Sequence, residues 1–586
     1  MKTTKKQGSL IRLAKVGAGT LLVLAAFFTA ASFVSCDDDD DEESYVESFA
    51  ASDSYGTALQ SSDAAYPVSG AEDAPIDGYM RLTFSSKPSL TKGACIYIYK
   101  DGGDDGDDEL VDTISFAGEY LTGQTTGSTV YVDDQLVYVD GTGVYFMPHY
   151  GVLDYGTTYY VVIPVGAIKG TLNDGSADTA FGSTGLAPSS KSWSFTTRSA
   201  PTVSTSTAIT IDAAESTGDS QADFRTVHGA LDAIGSSSGS YTLSVAAGDY
   251  KELVSWKGNA SITITGQGTE EYGSDVVIHW RNYQGYNGSS STRPSFYYGG
   301  KDLVLENITL QNDFDRSLDT GNTQAETLYF NSKSCNLAAY NCSFLSHQDT
   351  LLTKGKNWFY QCYIEGDVDF IWGYADAALF EECELVCVYD SNATSHSAYI
   401  FETRVGTVSS DTSVGKGYVI FNSTVTIEKG TTAYYGRRAS SGSSYYDQAA
   451  LVDVTISGSG TLAGAHWYVG NEPCALKDTL YGDYADVGWK EYNVTSSESA
   501  VSTTNRTQYA GDIVEDEENS KQEYTYEYSG RYTILNRVFY ITDSGGYYDH
   551  DSTSNIWDYS DLESAWNATT DASPGADGTY PTTTSE

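Results

Sequence analysis

Basic residues are scarce in this sequence: 33 Lys and Arg stand against 79 Asp and Glu, a formal charge of −46 at pH 7. Nucleic-acid phosphates are neutralised by clustered Lys and Arg, so no nucleic acid is expected as a partner. Cysteine is sparse too, 8 in 586 residues, with no Cys-x-x-Cys pair. That argues against a zinc site and against a disulfide framework. No Gly-x-Ser-x-Gly falls in a strand-turn-helix setting, which removes serine-hydrolase chemistry and leaves His347 as a cleft-edge or structural residue. The acidic run Asp101 to Glu109 lacks EF-hand spacing and reads as a solvated hairpin loop rather than a calcium site. At 586 residues the chain is too long for one ordinary domain, and two folded domains are expected.

What is present is a repeat. Tyr340-Asn341-Cys342-Ser343-Phe344, Tyr360-Gln361-Cys362-Tyr363-Ile364 and Glu381-Glu382-Cys383-Glu384-Leu385 place cysteines at intervals of 20 and 21 residues. One short alternating strand per period of about 20 residues is the pattern of a parallel β-solenoid, in which each coil buries its inward side chains by stacking on its neighbours. The matching cysteines read as a buried ladder of small apolar side chains. Looser echoes occur at Leu305 to Leu310, Phe421 to Val425 and Val452 to Ile456. An apolar pattern over Phe224, Val227, Leu231 and Ile234 predicts a helical cap on the first coil.

The same register places two carboxylates together. Asp349 follows Cys342 by seven residues and Asp369 follows Cys362 by seven, so stacked coils set them on adjacent rungs, roughly 5 Å apart. Two carboxylates so close hold one proton at a raised pKa while the other group stays anionic. The result is one acid beside one nucleophile or base.

Gln348-Asp349-Thr350-Leu351 and Asp369-Phe370-Ile371-Trp372-Gly373, in order and one coil apart, resemble the paired signatures of the pectin methylesterase family. Further matches are Asp223-Phe224-Arg225-Thr226-Val227, Gly248-Asp249-Tyr250-Lys251-Glu252, Ile264-Thr265-Gly266-Gln267-Gly268, Gln324-Ala325 and Gly436-Arg437, so the resemblance covers roughly residues 201 to 560. It implies an all-β chain whose main domain is a right-handed parallel β-helix. It implies hydrolysis of methyl esters of pectin (homogalacturonan) without metal or other cofactor, Asp369 attacking the ester carbonyl and Asp349 acting as acid and then base. Gln348 and Gln324 would donate to the oxyanion, and Arg437 would hold Asp369 anionic.

The sequence departs from the family at places where substrate is held. Gly436-Arg437 continues as Arg438-Ala439 where the family has Pro-Trp, and Trp372 and Tyr374 stand where it has Phe and Asn. Trp372, Tyr374 and Tyr435 are therefore assigned to the sugar-stacking surface, since an aromatic face suits the apolar face of a pyranose. Two other readings stay open: a non-catalytic glycan-binding surface protein and a pectate-lyase-type enzyme.

Residues 1–36 read as a lipoprotein leader: basic Met1 to Lys6, an apolar run from Val16 to Val34, then Ser35-Cys36. Cys36 is the expected lipidation site, and the aspartates behind it resemble an export signal of outer-membrane, surface-facing lipoproteins. The remaining boundaries are a polar tether over 37–72, an immunoglobulin-like β-sandwich over 73–198, the β-helix over 199–498, a segment over 499–568 packing back on it, and a disordered tail over 569–586. A monomer is expected.

Overall fold

The computed structural model describes residues 45–103, 106–121, 130–173, 180–214, 222–407, 417–438, 445–447, 449–470, 489–497, 499–507 and 509–512. Cys36 and the leader, Ala439, most of the segment expected over 499–568 and the expected tail lie outside the described residues. No helix among the described residues is long and apolar enough to cross a membrane.

From Ile209 to Asp512 the strands stack in parallel, apart from two short antiparallel pairings at Val405–Thr407 with Tyr445–Tyr446 and Thr495–Ser496 with Ser499–Ala500. One set of pairings joins eighteen strands and another joins ten, and nearly all pair with the strand one coil away. This is a parallel β-helix. Its interior alternates with its exterior: Phe296, Leu328, Leu351, Ile371 and Phe401 fill the core in register. The stacking continues through Ala510–Asp512, which pairs with Trp489–Tyr492 and so passes the boundary expected at 498.

The repeated five-residue phrases are corners rather than single strands. Asn336–Tyr340 ends one strand, Asn341 turns at φ 48°, and Ser343–Leu345 starts the next. The same left-handed turn recurs once per coil at Asn307, Gln361, Glu382, Asn422, Asp453 and Asn493, a conformation in which Asn and Asp are enriched. Behind the corners at Asn341, Gln361, Glu382 and Asn422 a small side chain points inward, while Ile308, Val454 and Val494 take that buried place behind the other three. Cys342, Cys362 and Cys383 are free, buried thiols donating to carbonyls of Tyr340, Tyr360 and Glu381, and Ser423 takes the place on the next coil. A thiol and a hydroxyl fit this slot because each satisfies a carbonyl that the corner leaves exposed to the core.

The helix Val227–Ile234 caps the first coil, with Phe224, Val227, Leu231 and Ile234 all buried. Thr226 caps its N-terminus by accepting from the Gly229 N–H at 2.9 Å.

Ahead of the β-helix lie a four-stranded and a five-stranded sheet, antiparallel apart from one pairing. Their shared core contains Leu82, Ile96, Ile98, Val161 and Trp193. Here the tether expected over 37–72 is corrected. Leu59, Ala64 and Ala65 are fully buried in this core, and Ala65–Tyr66 and Ala71–Ala74 are strands. These pieces are too short and too Ala-rich to show a period in sequence, yet small side chains fill the space between sheets well. In the acidic hairpin, Lys191 donates to Asp101 at 2.9 Å and Asp108 at 2.8 Å.

The sandwich meets the β-helix through buried polar contacts. Asp77 accepts from the backbone N–H groups of Arg225 and Thr226, each at 2.8 Å, and burial pushes its carboxyl up. Asp133 takes the Tyr286 hydroxyl at 2.6 Å and pairs with Arg281, tying the sandwich to the loop that leads to Arg293.

Candidate active site

The corner residues of two further turns carry the chemistry. Asp349 has φ 67° and Asp369 φ 52°. They stand on adjacent rungs, each two residues before the pairing of Leu351 with Ile371. The Asp349 N–H donates to the Val368 carbonyl at 3.0 Å. Both aspartates are buried, 7% and 3% exposed. A left-handed backbone at an aspartate costs free energy, and here it aims both carboxyls out of one face.

Arg437 grips Asp369 with two bonds, Nε to Oδ1 at 2.6 Å and Nη2 to Oδ2. Asp349 receives one, from Arg293 Nη2 at 3.0 Å. Arg293 gives its stronger, two-pronged contact to Glu326, at 2.6 and 2.7 Å, and Nη1 to Gln284 at 2.5 Å. On the opposite flank Glu402 is held by Arg404 at 3.0 and 2.5 Å and lies 3.6 Å from Arg437. Arg293, Glu326, Glu402 and Arg404 are site residues that the sequence reading did not find.

Charge counting decides where a proton sits. Asp349, Asp369, Glu326 and Glu402 face three guanidiniums, those of Arg293, Arg404 and Arg437, so full ionisation leaves one uncompensated buried negative charge. Burial first, then the Glu326 charge, drives the Asp349 carboxyl well above its ordinary range, with Arg293 opposing. Burial also raises Asp369, but the Arg437 charge opposes it most strongly and directly. By this count one carboxyl of the cluster holds a proton, and Asp349, with a single guanidinium bond, is the better place for it than Asp369, which has two.

Gln324 and Gln348 form a parallel bridge on neighbouring coils beside the pair, both half-buried. Thr323 donates to Gln348 Oε1 at 2.7 Å, which fixes the amide with its N–H₂ end available.

The aromatic assignments fare differently. Tyr435 is fully buried inside the coil against Trp467 and forms no part of the cleft. The alternation breaks at Gly436, where a Cβ would sit 2.9 Å from the Phe401 carbonyl, so Tyr435 points in although Arg437 points out. Trp372 is on the outer face but only 6% exposed, with the Arg404 guanidinium 4.8 Å from its ring centre. That covering removes it as an open stacking platform, and Tyr374, half-buried, accepts from Arg404 at 2.7 Å. The open aromatic surface lies on the other flank: Tyr399 and Tyr434 stack at 5.2 Å, and Tyr468, 42% exposed, packs at 5.4 Å from both. Arg437 lies 5.0 Å from the Tyr399 ring, so this surface adjoins the aspartate pair.

Among the described residues, His347, Asp367 and Asp390 bring possible ligand atoms within 4.8 Å of one another. A guanidinium already serves that cluster, since Arg316 bonds Asp367 with both Nη atoms and Asp390 at 2.9 Å.

The site is thus an Asp–Asp pair under a bidentate arginine, with two glutamines alongside, on the outer face of a parallel β-helix. The Pectinesterase family model matches residues 213–528, and the chain belongs to that family. Probable pectinesterase A of Aspergillus fumigatus is 31% identical over 182 residues, 30% of this chain and 54% of that protein. Pectinesterase 31 of Arabidopsis thaliana is 40% identical over 110 residues, 19% of this chain and 32% of that protein. The chain spans about half or less of the length of these curated relatives. Among solved structures, the pectin methylesterase from Aspergillus niger aligns over 54% of this chain and 93% of its own, with a TM-score of 0.40 and 24% identity. The pectin methylesterase from carrot aligns over 53% and 89%, with a TM-score of 0.40 and 20% identity.

Proposed function

We propose that this protein hydrolyses methyl esters of homogalacturonan by aspartyl nucleophilic catalysis. The observation that carries the reading is the asymmetry of the pair: Asp369 is clamped by both arms of Arg437 while Asp349 shares Arg293 with Glu326. An Oδ of Asp369 attacks the ester carbonyl, and the oxyanion is met by the amides of Gln348 and Gln324. The C–O bond to methoxide breaks as Asp349 gives it a proton, releasing methanol and leaving a mixed anhydride on Asp369. Asp349, now a carboxylate, takes a proton from water, which opens the anhydride and frees the galacturonate carboxylate. Both aspartates return to their starting states.

Gln348→Ala is expected to lower kcat for methanol release by roughly 10²–10³-fold, the range for one oxyanion donor, with a much smaller change in KM. Steady-state assays on esterified pectin check this, and an unchanged kcat would remove Gln348 from the oxyanion site.

The same reading makes the chain a lipoprotein of the outer membrane, secreted through its leader, anchored at Cys36 and facing the cell surface, with the immunoglobulin-like sandwich as a spacer. The Met1 to Cys36 pattern supports it. Cys36→Ser is expected to move the protein from the membrane to the soluble fraction, and retention in the membrane would contradict the anchor.

A further inference from the structure

The outer face that carries the aspartate pair is crossed by rows of paired residues, one per coil. Two residues beyond the row of Tyr329, Leu352 and Trp372 lie Asn331, Lys354 and Tyr374. Lys354 differs from every arginine around the pair. Arg293, Arg404 and Arg437 each hold a carboxylate, as does Arg316. Among the described residues Lys354 has no carboxylate partner, although the chain carries a net charge of −46.

Among the described residues the Lys354 ammonium donates to a neutral group, Asn331 Oδ1 at 2.6 Å. Asn331 is itself fixed, accepting from the Tyr329 hydroxyl at 3.0 Å and donating to Tyr297 Oη at 2.7 Å. The Lys354 ammonium lies 5.3 Å from the Tyr329 ring centre and 5.9 Å from that of Tyr374. Half-buried, it is destabilised as a cation by desolvation and by the neighbouring charge of Lys333, which is exposed. An ammonium held in place by neutral partners, with two N–H donors left over and a second cation beside it, is arranged for an anion.

Position selects the anion. Lys354 lies five residues along the strand from Asp349, about 16 Å at 3.3 Å per residue, on the face where the pair opens. We propose that Lys354 is a subsite for a free carboxylate of galacturonate, a few sugar units from the ester under attack, so that the protein selects chains already partly de-esterified. The inference rests on the esterase reading for its substrate. It also accounts for how so acidic a protein takes a polyanion: the favourable charge is local, and the rest of the surface repels chains that do not reach it.

The test compares kcat/KM for methanol release from half-esterified and fully esterified polygalacturonate, using the full chain, Lys354→Gln and Lys354→Arg. The parent is expected to prefer the half-esterified polymer, with the ratio falling toward one in Lys354→Gln and recovering in Lys354→Arg. Equal ratios in the parent and Lys354→Gln would overturn the subsite. Calorimetric binding of fully de-esterified oligogalacturonate separates this proposal from the esterase reading. There Lys354→Gln is expected to weaken affinity about tenfold, as for one charge-assisted contact, whether or not methanol is released. Equal affinity would sink the subsite alone, and absence of methanol from the parent with binding intact would sink the esterase reading alone.

Discussion

Asp369→Asn is expected to lower kcat for methanol release by at least ~10⁴-fold, the scale of losing a covalent nucleophile, while leaving the fold intact. Asparagine keeps the size of the side chain and one carbonyl oxygen for Arg437, so the clamp loses a charge rather than its geometry. The amide cannot attack, and no other carboxylate takes over. Asp349 carries the proton the leaving group needs, Glu326 is fully enclosed by Arg293, and Glu402 is bound to Arg404. The pH–rate profile of the parent follows from the same arrangement. Burial raises both aspartates, so activity falls on the acid side as Asp369 gains a proton, above the ordinary range of an aspartate near 3.9. It falls on the alkaline side as Asp349 loses its proton. Measured residual activity within tenfold of the parent would mean that Asp369 is not the nucleophile.

Arg293→Met is expected to destabilise the folded protein by about 3–5 kcal/mol, the cost of removing one partner from a buried ion pair. Glu326 is 0% exposed and has Arg293 as its bidentate partner. Without that partner its charge stands bare, or it takes up a proton from solvent. Urea denaturation of the parent and the variant measures the difference, and a loss below about 1 kcal/mol would contradict the network. The substitution also removes the one guanidinium bond to Asp349, so activity falls even under conditions where the variant stays folded.

Arg293 and Glu326 illustrate what the sequence could and could not disclose. The coils containing Cys342, Cys362 and Cys383 differ in length by a single residue, so register alone placed Asp349 and Asp369 on adjacent rungs. Neighbouring coils are longer: the left-handed corners at Asn307 and Asn341 are 34 residues apart, and those at Glu382 and Asn422 are 40 apart. Extra residues loop out of such coils, and the period that carried the argument is lost. Arg293 comes from one such loop and Glu402 and Arg404 from a long coil, so nothing in spacing pointed to them. Glu326 had a signal that went unused, an acidic residue two positions after Gln324 on the same approach to the site. Tyr435 was assigned to the stacking surface on its aromatic character alone, which does not say which way a side chain points, and the break of alternation at Gly436 turns it inward. The sandwich residues before Asp73 were missed because strands of two to four residues leave no period to read.

The central claim is that an aspartate pair on this β-helix cleaves a methyl ester. Methanol release from highly esterified pectin by the purified protein, with Asp369→Ala alongside and unsaturated chain ends monitored in the same samples, tests it most directly. The account predicts methanol from the parent, none above background from the variant, and no unsaturated ends from either. Unsaturated ends, or a folded parent that binds pectin and releases no methanol, would contradict it.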